Sequence, residues 1–538
     1  MDIFLKYKFH TQICHINNQS FLPFFAFLKL KNIQTKMDEE NTCFMNCSIA
    51  EYGDHGKKRE MWFRGNLKHR EDGPACIEYF DDGSVKSEHW FQNNELHRDG
   101  DNPAWVEYWP KNEYSDLSNP IRKNNIKIEK WIKKNKLHRD NNPAIVIYWC
   151  NGNIHAKKWY QNGAFHRDND EPAQIIYRSD GELQSMTWRK NNELHRDADK
   201  PAYIGWFCDG KIETEQWLQN DQFHRDMDKP AFIEYHPIVG KCEEKWYLHG
   251  KLHRDNDEPA EIKYSITNGN VSRKRWYKNG NLDRHGNPAW IEYVDNLVKE
   301  EKWYEDGISV NNDEPNVITY DDRGSIYTKR WCLNGSLHRE NDNPAWILYH
   351  RNGSVKEEKW YRNGNLYRDN DKPTNVFYHI NGCVHMQYWH KNNLLDRDSL
   401  PAWIEHYISG QIKEERWYHN GNLYRDNDKP TDVFYHTNGC VHIQCWHKNN
   451  VLDRDSLPAW IEYYISGQIK EERWYRNGNL CRYNDQPASV AFYQNGSKLH
   501  EKWYRDGILY RDSDEPDIIE YDELGRPNNK WLRSSKVK

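Results

Sequence analysis

The chain of 538 residues exceeds a single ordinary domain of about 150 residues, yet only 37 % of it is hydrophobic while 14 % is aromatic, with 25 tryptophans. Scarce aliphatic and abundant aromatic side chains exclude a thick multilayer core and favour a thin structure that buries rings. With 76 basic against 82 acidic residues the net charge is −6, which argues against a dedicated nucleic-acid binder.

Residues 1–56 carry no repeat. The apolar run "FLPFFAFLKL", Phe21 to Leu30, has about half the length a bilayer span needs. It lacks a small-residue cleavage site, so a signal peptide is disfavoured. Met37 is followed by polar "DEEN", and translation from Met37 is an alternative to Met1. This segment is expected to be poorly ordered or partly outside the mature protein. Twelve cysteines lie scattered from Cys14 to Cys481 without a repeating pair, which reads as reduced thiols of a cytoplasmic protein.

From Trp62 onward one pattern repeats. Tryptophan recurs at 62, 90, 131, 159, 188, 217, 246, 276, 303, 331, 360, 389, 417, 446, 474, 503 and 531, in steps of 27 to 30 residues apart from 41 before Trp131. A proline follows each of the first sixteen, twelve or thirteen residues later. The unit reads W-[YF]-x-N-G-x-L-H-R-D-x-D-x-P-A-x-I-x-Y, then a second turn, then charged residues. Residues 57–531 therefore hold sixteen units of about 28–29 residues. The long step contains an inserted loop at about 109–127, and 532–538 form a tail.

Two hairpins per unit account for the spacing. Asn363-Gly364 is a two-residue type I′ turn signal. The fourth position after tryptophan is Gly, Asn or Asp in all sixteen units, the residues that tolerate positive φ. Asp82-Gly83, Asn352-Gly353 and Ser466-Gly467 mark the second turn, read as two-residue loops as well. This register sets Trp360 opposite Tyr367 and Trp246 opposite His253. Across the second turn it sets Ala345 opposite Trp360, with Ile347 and Tyr349 on the same face. A small residue belongs where an indole crosses the neighbouring strand, and twelve of the sixteen prolines are followed by alanine. Proline starts a strand, where its missing N–H is tolerated. No stretch has helical periodicity. The expected fold is all-β: an elongated, single-layer antiparallel meander of tandem double-hairpin repeats.

The stretch "KWYLHGKLHRDNDEPAEIKY", residues 245 to 264, carries the signature at Trp246, Gly250, His253, Arg254, Asp255, Pro259, Ala260 and Tyr264. Trp360, Gly364, Arg368 and Pro373 match it in a later unit. Its HRD triplet resembles a kinase catalytic loop, but Gly-rich loop, lysine strand and DFG segment are missing. The triplet also recurs as HRD or HRE at eight places, whereas a catalytic base is needed once. These residues read as structural, with no catalytic role and no cofactor. Arginine stands in fifteen of sixteen units, replaced only by Asn311. Stacked units would set arginines and carboxylates in a ladder, each able to pair with its own neighbour or the adjacent unit's, and arginine over a tryptophan face adds a cation–π term. The alternative is a surface for a small ligand, a glycan or a lipid headgroup. Metal is not expected. The run "RDNDEP" lacks the glycines of calcium loops, Arg254 is expected to neutralise Asp255, and Cys43 and Cys47 lack a second half for zinc. The acidic partners also blunt any field for stacking nucleic acid.

The succession of aromatic, turn glycine, short strand and next aromatic resembles MORN-type repeats over about residues 57 to 531, in the divergent variety expanded in large DNA viruses of amoebae. Ordinary MORN units are shorter, richer in glycine and without the "HRDNDxPA" segment. The resemblance implies a one-layer sheet that serves as a scaffold in protein contacts, or in some members at membrane lipids. A viral chain of this kind would act in host cytoplasm or virion. Only the architecture is carried over, since no separate basic patch supports lipid binding. The expected function is a non-catalytic scaffold that binds a protein along an extended repetitive face. Residues 360–416 and 417–473 agree at 50 of 57 positions, the mark of tandem duplication.

Overall fold

The computed structural model describes residues 33–37, 46–53, 56–111, 125–310, 313–511 and 515–528. The apolar run at Phe21–Leu30, most of the inserted loop, Asn311, Trp531 and the 532–538 tail lie outside the described residues. The chain divides into two compact units, residues 1–183 and 184–538. The division falls inside a repeat, within the strand Leu183–Thr187. Each unit is built of antiparallel strands and hairpins in a single-layer meander, and no α-helix occurs among the described residues. In the first unit, strand Ile33–Met37 pairs with Asn46–Gly53, and that strand with Gly56–Arg64, so sheet precedes the first repeat.

One repeat shows the construction. Strand Gly240–Lys245 runs into Trp246, beyond which Tyr247–Leu248 and Lys251–Leu252 form a short hairpin, here called the arm. A loop returns the chain to Ala260 and strand Glu261–Tyr264, which pairs backward with Gly240–Lys245 and forward with Val271–Arg275. The longer strands make the meander, while the arms stay outside it as separate two-stranded ribbons. Trp246 is where they part. Its N–H donates to Ala260 O at 2.8 Å and its carbonyl accepts from His253 N at 3.1 Å, so the two backbone groups of one residue serve different segments.

The arm turn is of type I′, as its residues require. Asn363 and Gly364 have φ of 49° and 81°, and Tyr361–Arg362 pairs with Asn365–Leu366. The second turn is the expected two-residue loop at Asp295-Asn296, with φ of 48° and 65°, but differs at the positions marked from sequence. His350 N bonds Ser354 O at 2.8 Å and Gly353 N bonds His350 O at 2.9 Å. The loop is therefore Arg351-Asn352-Gly353, with positive φ only at Gly353, and Gly83 and Gly467 close the same kind of loop. The Asn352 side chain accepts the Ser354 N–H at 3.0 Å, an Asx turn that explains the residue choice. A three-residue loop shifts the register by one, and a bulge after Leu348 shifts it back. Alanine and tryptophan meet as the spacing predicts, through two compensating irregularities.

The alanine has two tryptophan neighbours, where the sequence register supplied one. The ladders place Ala260 opposite both Trp246 and Trp276, and every alanine in this slot has no exposed surface. A larger side chain would have to enter between two indoles. Where alanine is replaced, the residue after the next tryptophan changes too. Asn316 bonds both backbone groups of Cys332. Thr374 and Thr431 share hydrogen bonds of 2.8 Å with His390 Nδ1 and His447 Nδ1. Small clusters such as Trp276, Ala289 and Ile291, with Tyr293 beside them, provide the apolar packing. The opposite face carries charge and a second tryptophan set, with Trp290 between Arg275 at 3.6 Å and Lys302 at 4.4 Å.

Candidate functional surface

The signature residues meet where the loop joins arm to sheet. Trp246 is buried beneath the Arg254 guanidinium, 4.0 Å from its ring. Arg254 Nη1 donates to Pro259 O at 3.2 Å, closing its own loop. Its Nε and Nη2 donate to the Asp228 carboxylate of the preceding repeat at 2.7 and 2.9 Å. The Trp246 indole N–H donates to Asp228 O at 3.1 Å. One aspartate thus receives both groups of the next repeat. Asp257 does so for Arg284 and Trp276, and Asp342 for Arg368 and Trp360. Arg368 lies 3.6 Å over Trp360 and bonds Pro373 O at 3.1 Å. The arginine–tryptophan stack and the ladder expected from sequence are both present. Hydrogen bonds from arginine and then lysine hold Asp199 and Asp342 at about 2, well below the usual carboxylate value.

The first aspartate of the motif behaves otherwise. Asp255 is exposed and accepts from His253 Nε2 at 3.2 Å. His253 Nδ1 accepts the backbone N–H of Asn279 at 3.1 Å, which fixes the tautomer. The expected neutralisation of Asp255 by Arg254 is therefore corrected. Arg254 turns to Asp228, because the left-handed pair of the preceding loop, Met227-Asp228, presents the second carboxylate to the following repeat, as Asn256-Asp257 does for the next. Tyr367 can stand in the histidine slot because its hydroxyl donates to Asp369 at 2.5 Å.

Gly250 and Gly364 bond the preceding arm, donating to Phe223 O and Leu337 O at 2.9 Å. Tyr264 donates to Glu244 Oε2 at 2.6 Å, and burial with that bond pushes the phenol above its usual range. Tyr378 and Glu358, and Tyr435 and Glu415, repeat this pair. Sequence reasoning missed it, although a glutamate two residues before tryptophan and a tyrosine four after alanine recur together.

The row is interrupted after several loops. Among the described residues, Arg98 bonds Pro103 O without a carboxylate of the preceding repeat, and Arg167 pairs with Glu171 of its own loop while the Trp159 indole N–H has no acceptor. Two of the interrupting loops share one sequence. Asp396–Pro401 and Asp453–Pro458 read DRDSLP, one residue shorter and without the second aspartate. Arg425 and Arg482 of the following repeats still stack on Trp417 and Trp474 at 3.6 and 3.7 Å. No carboxylate pairs with either among the described residues, and both buried indole N–H groups lack an acceptor.

Open clefts lie between successive loops. One of about 310 Å³, over Trp217 and Leu218, separates residues 196–200 from 224–227. Another of about 240 Å³, over Trp131 and Ile132, occupies the equivalent place between residues 97–102 and 138–140. Among the described residues no three His, Cys, Asp or Glu side chains are placed to hold a metal ion, and no helix is long and apolar enough to cross a membrane. Compared with known protein families and with characterised proteins, the chain matches none.

Proposed function

We propose that the chain is a non-catalytic repeat scaffold that binds a protein partner along the row of His-Arg-Asp loops. The observation that carries this reading is the recurrence of one loop geometry from repeat to repeat. The arginine–aspartate bridge lies inside the array, and the first aspartate of the motif faces solvent. The side chains of Asp197, Asp226 and Asp255 are 74 %, 74 % and 78 % exposed, yet histidine holds each in one orientation. A partner that meets the same preorganised group at each repeat loses little ordering entropy per contact and gains avidity with repeat number. His253 has hydrogen bonds at both ring nitrogens, which argues against a role as catalytic base. The MORN-type resemblance supports the scaffold, and the free thiols of the described cysteines fit a cytoplasmic setting. A second reading, a small ligand between loops, draws on the cleft of about 310 Å³ over Trp217, close to the lower end of ordinary ligand pockets.

The test is a hydrogen-exchange footprint of the chain in complex with a partner isolated from its native cell. Protection is expected at the His-Arg-Asp loops of several successive repeats. Protection confined to one repeat, or to the arm turns, would overturn the loop-row reading.

A further inference from the structure

In seven repeats that follow a long loop, among them those of Trp246, Trp360 and Trp503, the arginine and the indole N–H are both satisfied by one aspartate of the repeat before. Arg454 and Trp446 use Asp428 in this way. After the long loop ending at Pro103, Asp101 takes Arg139 while the Trp131 N–H has no acceptor among the described residues. The loops ending at Pro401 and Pro458 lack that aspartate. Arg425 and Arg482 keep their stacking and their Nη1 bonds to Pro430 O and Pro487 O. Their Nε and Nη2 groups, which in Arg368 hold Asp342 at 2.6 and 3.3 Å, have no carboxylate among the described residues. The indoles of Trp417 and Trp474, 7 % and 8 % exposed, mark the same gap with unaccepted N–H groups. Leu400 and Leu457, in the shortened loops, are half-exposed and offer no side-chain acceptor. Burial holds both guanidinium groups below their usual value.

We propose that Arg425 and Arg482 are a pair of carboxylate-binding sites, each taking an aspartate of an acidic partner segment where Asp342 sits on Arg368. This rests on the scaffold reading above and names the chemistry of its partner. A planar fork that pairs through Nε and Nη2 suits a carboxylate, and aspartate is the group the chain itself uses there. The two arginines are 57 residues apart, two repeats, with Arg454 between them already occupied. Four strand spacings of about 4.8 Å give roughly 19 Å, which an extended segment covers in about six residues. The partner therefore presents two aspartates about six positions apart.

The probe is a fluorescein-labelled synthetic peptide with two aspartates separated by five glycine and serine residues. It is titrated into the full chain at low salt, beside a peptide with asparagines instead. Binding is expected only for the aspartate peptide. Arg425→Gln and Arg482→Gln should each weaken it about tenfold, the size of a charged hydrogen-bonded pair, and Lys448→Gln should leave it unchanged. A second variant keeps the test independent of any folding defect in the first. Replacing Ser399-Leu400 by Asn-Asp-Lys restores the long loop, so the melting temperature should rise while probe binding weakens about tenfold. No binding at millimolar peptide, or binding indifferent to both arginines, would overturn these sites and leave the loop row standing. Probe binding that needs both arginines, with a native partner whose footprint avoids the loops, would overturn the loop-row reading and leave these sites standing.

Discussion

Trp246 ends a sheet strand, begins an arm and donates its indole N–H to the preceding repeat. Trp246→Ala leaves a cavity, uncovers Arg254 and orphans Asp228 O, for an expected cost of about 3–5 kcal/mol. Because repeats contact mainly their neighbours, amide exchange should rise within residues 217–276 and stay unchanged near residue 450. A rise spread along the chain would count against modular packing. The duplicated segment supplies a second residue-scale test. Asn375 faces Tyr388 in one copy and Asp432 faces Cys445 in the other. Asp432 is 6 % exposed, and its Oδ1 is unbonded. Its Oδ2 is 3.7 Å from His447 Nδ1, and Arg416 opposite is bonded to Glu414. Burial pushes the Asp432 carboxyl up to about 7, against about 4 when unfolded. The folded state then binds the extra proton, so stability falls as pH rises from about 4 to about 7 and levels above. Burial raises Glu414 and lowers His447, but Glu357 and His390 shift alike in the first copy. Amide protection in 432–445 relative to 375–388 should decline over that pH range, and Asp432→Asn should flatten it. A ratio that ignores pH in the unaltered chain would refute this. Asp342, held at about 2, has the opposite sign. Its contribution is present above about 4 and fades as pH falls towards 2.

At the scale of the element, the arm is two residues per strand and depends on its turn. Gly364 has φ of 81°, and a Cβ added there meets Ser336 only at ordinary contact distance, 3.7 Å. The obstacle to other residues is backbone conformation, not space. Gly364→Ala should therefore cost about 1 kcal/mol, and Gly364→Asn distinctly less, because asparagine tolerates this region. Asn393 and Asn450 occupy the equivalent position with φ of 63°. Thermal melting reads the difference, and equal losses for both variants would contradict left-handed strain as its source. The type I′ turn was legible because only a few residue types accept positive φ twice in succession. The second turn was not, because Asn-Gly also suits a three-residue loop with a bulge, and local preference does not separate the two.

Over the whole molecule, the duplication permits a clean excision. Deleting residues 360–416 joins Lys359 to Trp417, and each lost neighbour is replaced by its counterpart. Asp342, which now binds Arg368 and Lys372, would meet Arg425 and Lys429 in the same "YRDNDKP" context. Stability should change little, and chemical denaturation measures it. Moving either end of the deletion by one residue puts the following side chains on the wrong face and should disrupt packing there. The excision also gives Arg425 an internal carboxylate, so it should remove that peptide site while Arg482 keeps its own. A folded excised chain that binds the probe with undiminished affinity would contradict the assignment of Arg425.

Period, turn positions, strand alternation and the need for a small residue beside tryptophan follow from the sequence alone. Each is a local rule, set by which side chains accept a given φ or fit beside an indole. The arginine stack on its own tryptophan was legible for the same reason, since eight residues and one hairpin separate them. Which aspartate takes the arginine was decided only in three dimensions. Asp255 adjoins Arg254 in sequence, yet the bond goes to Asp228, 26 residues back, because successive loops stack and the left-handed pair turns the second carboxylate across the junction. The tyrosine–glutamate pairs, the second tryptophan beside each alanine and the sites at Arg425 and Arg482 have the same origin. They belong to contacts between repeats, and a repeat read by itself does not contain its neighbour.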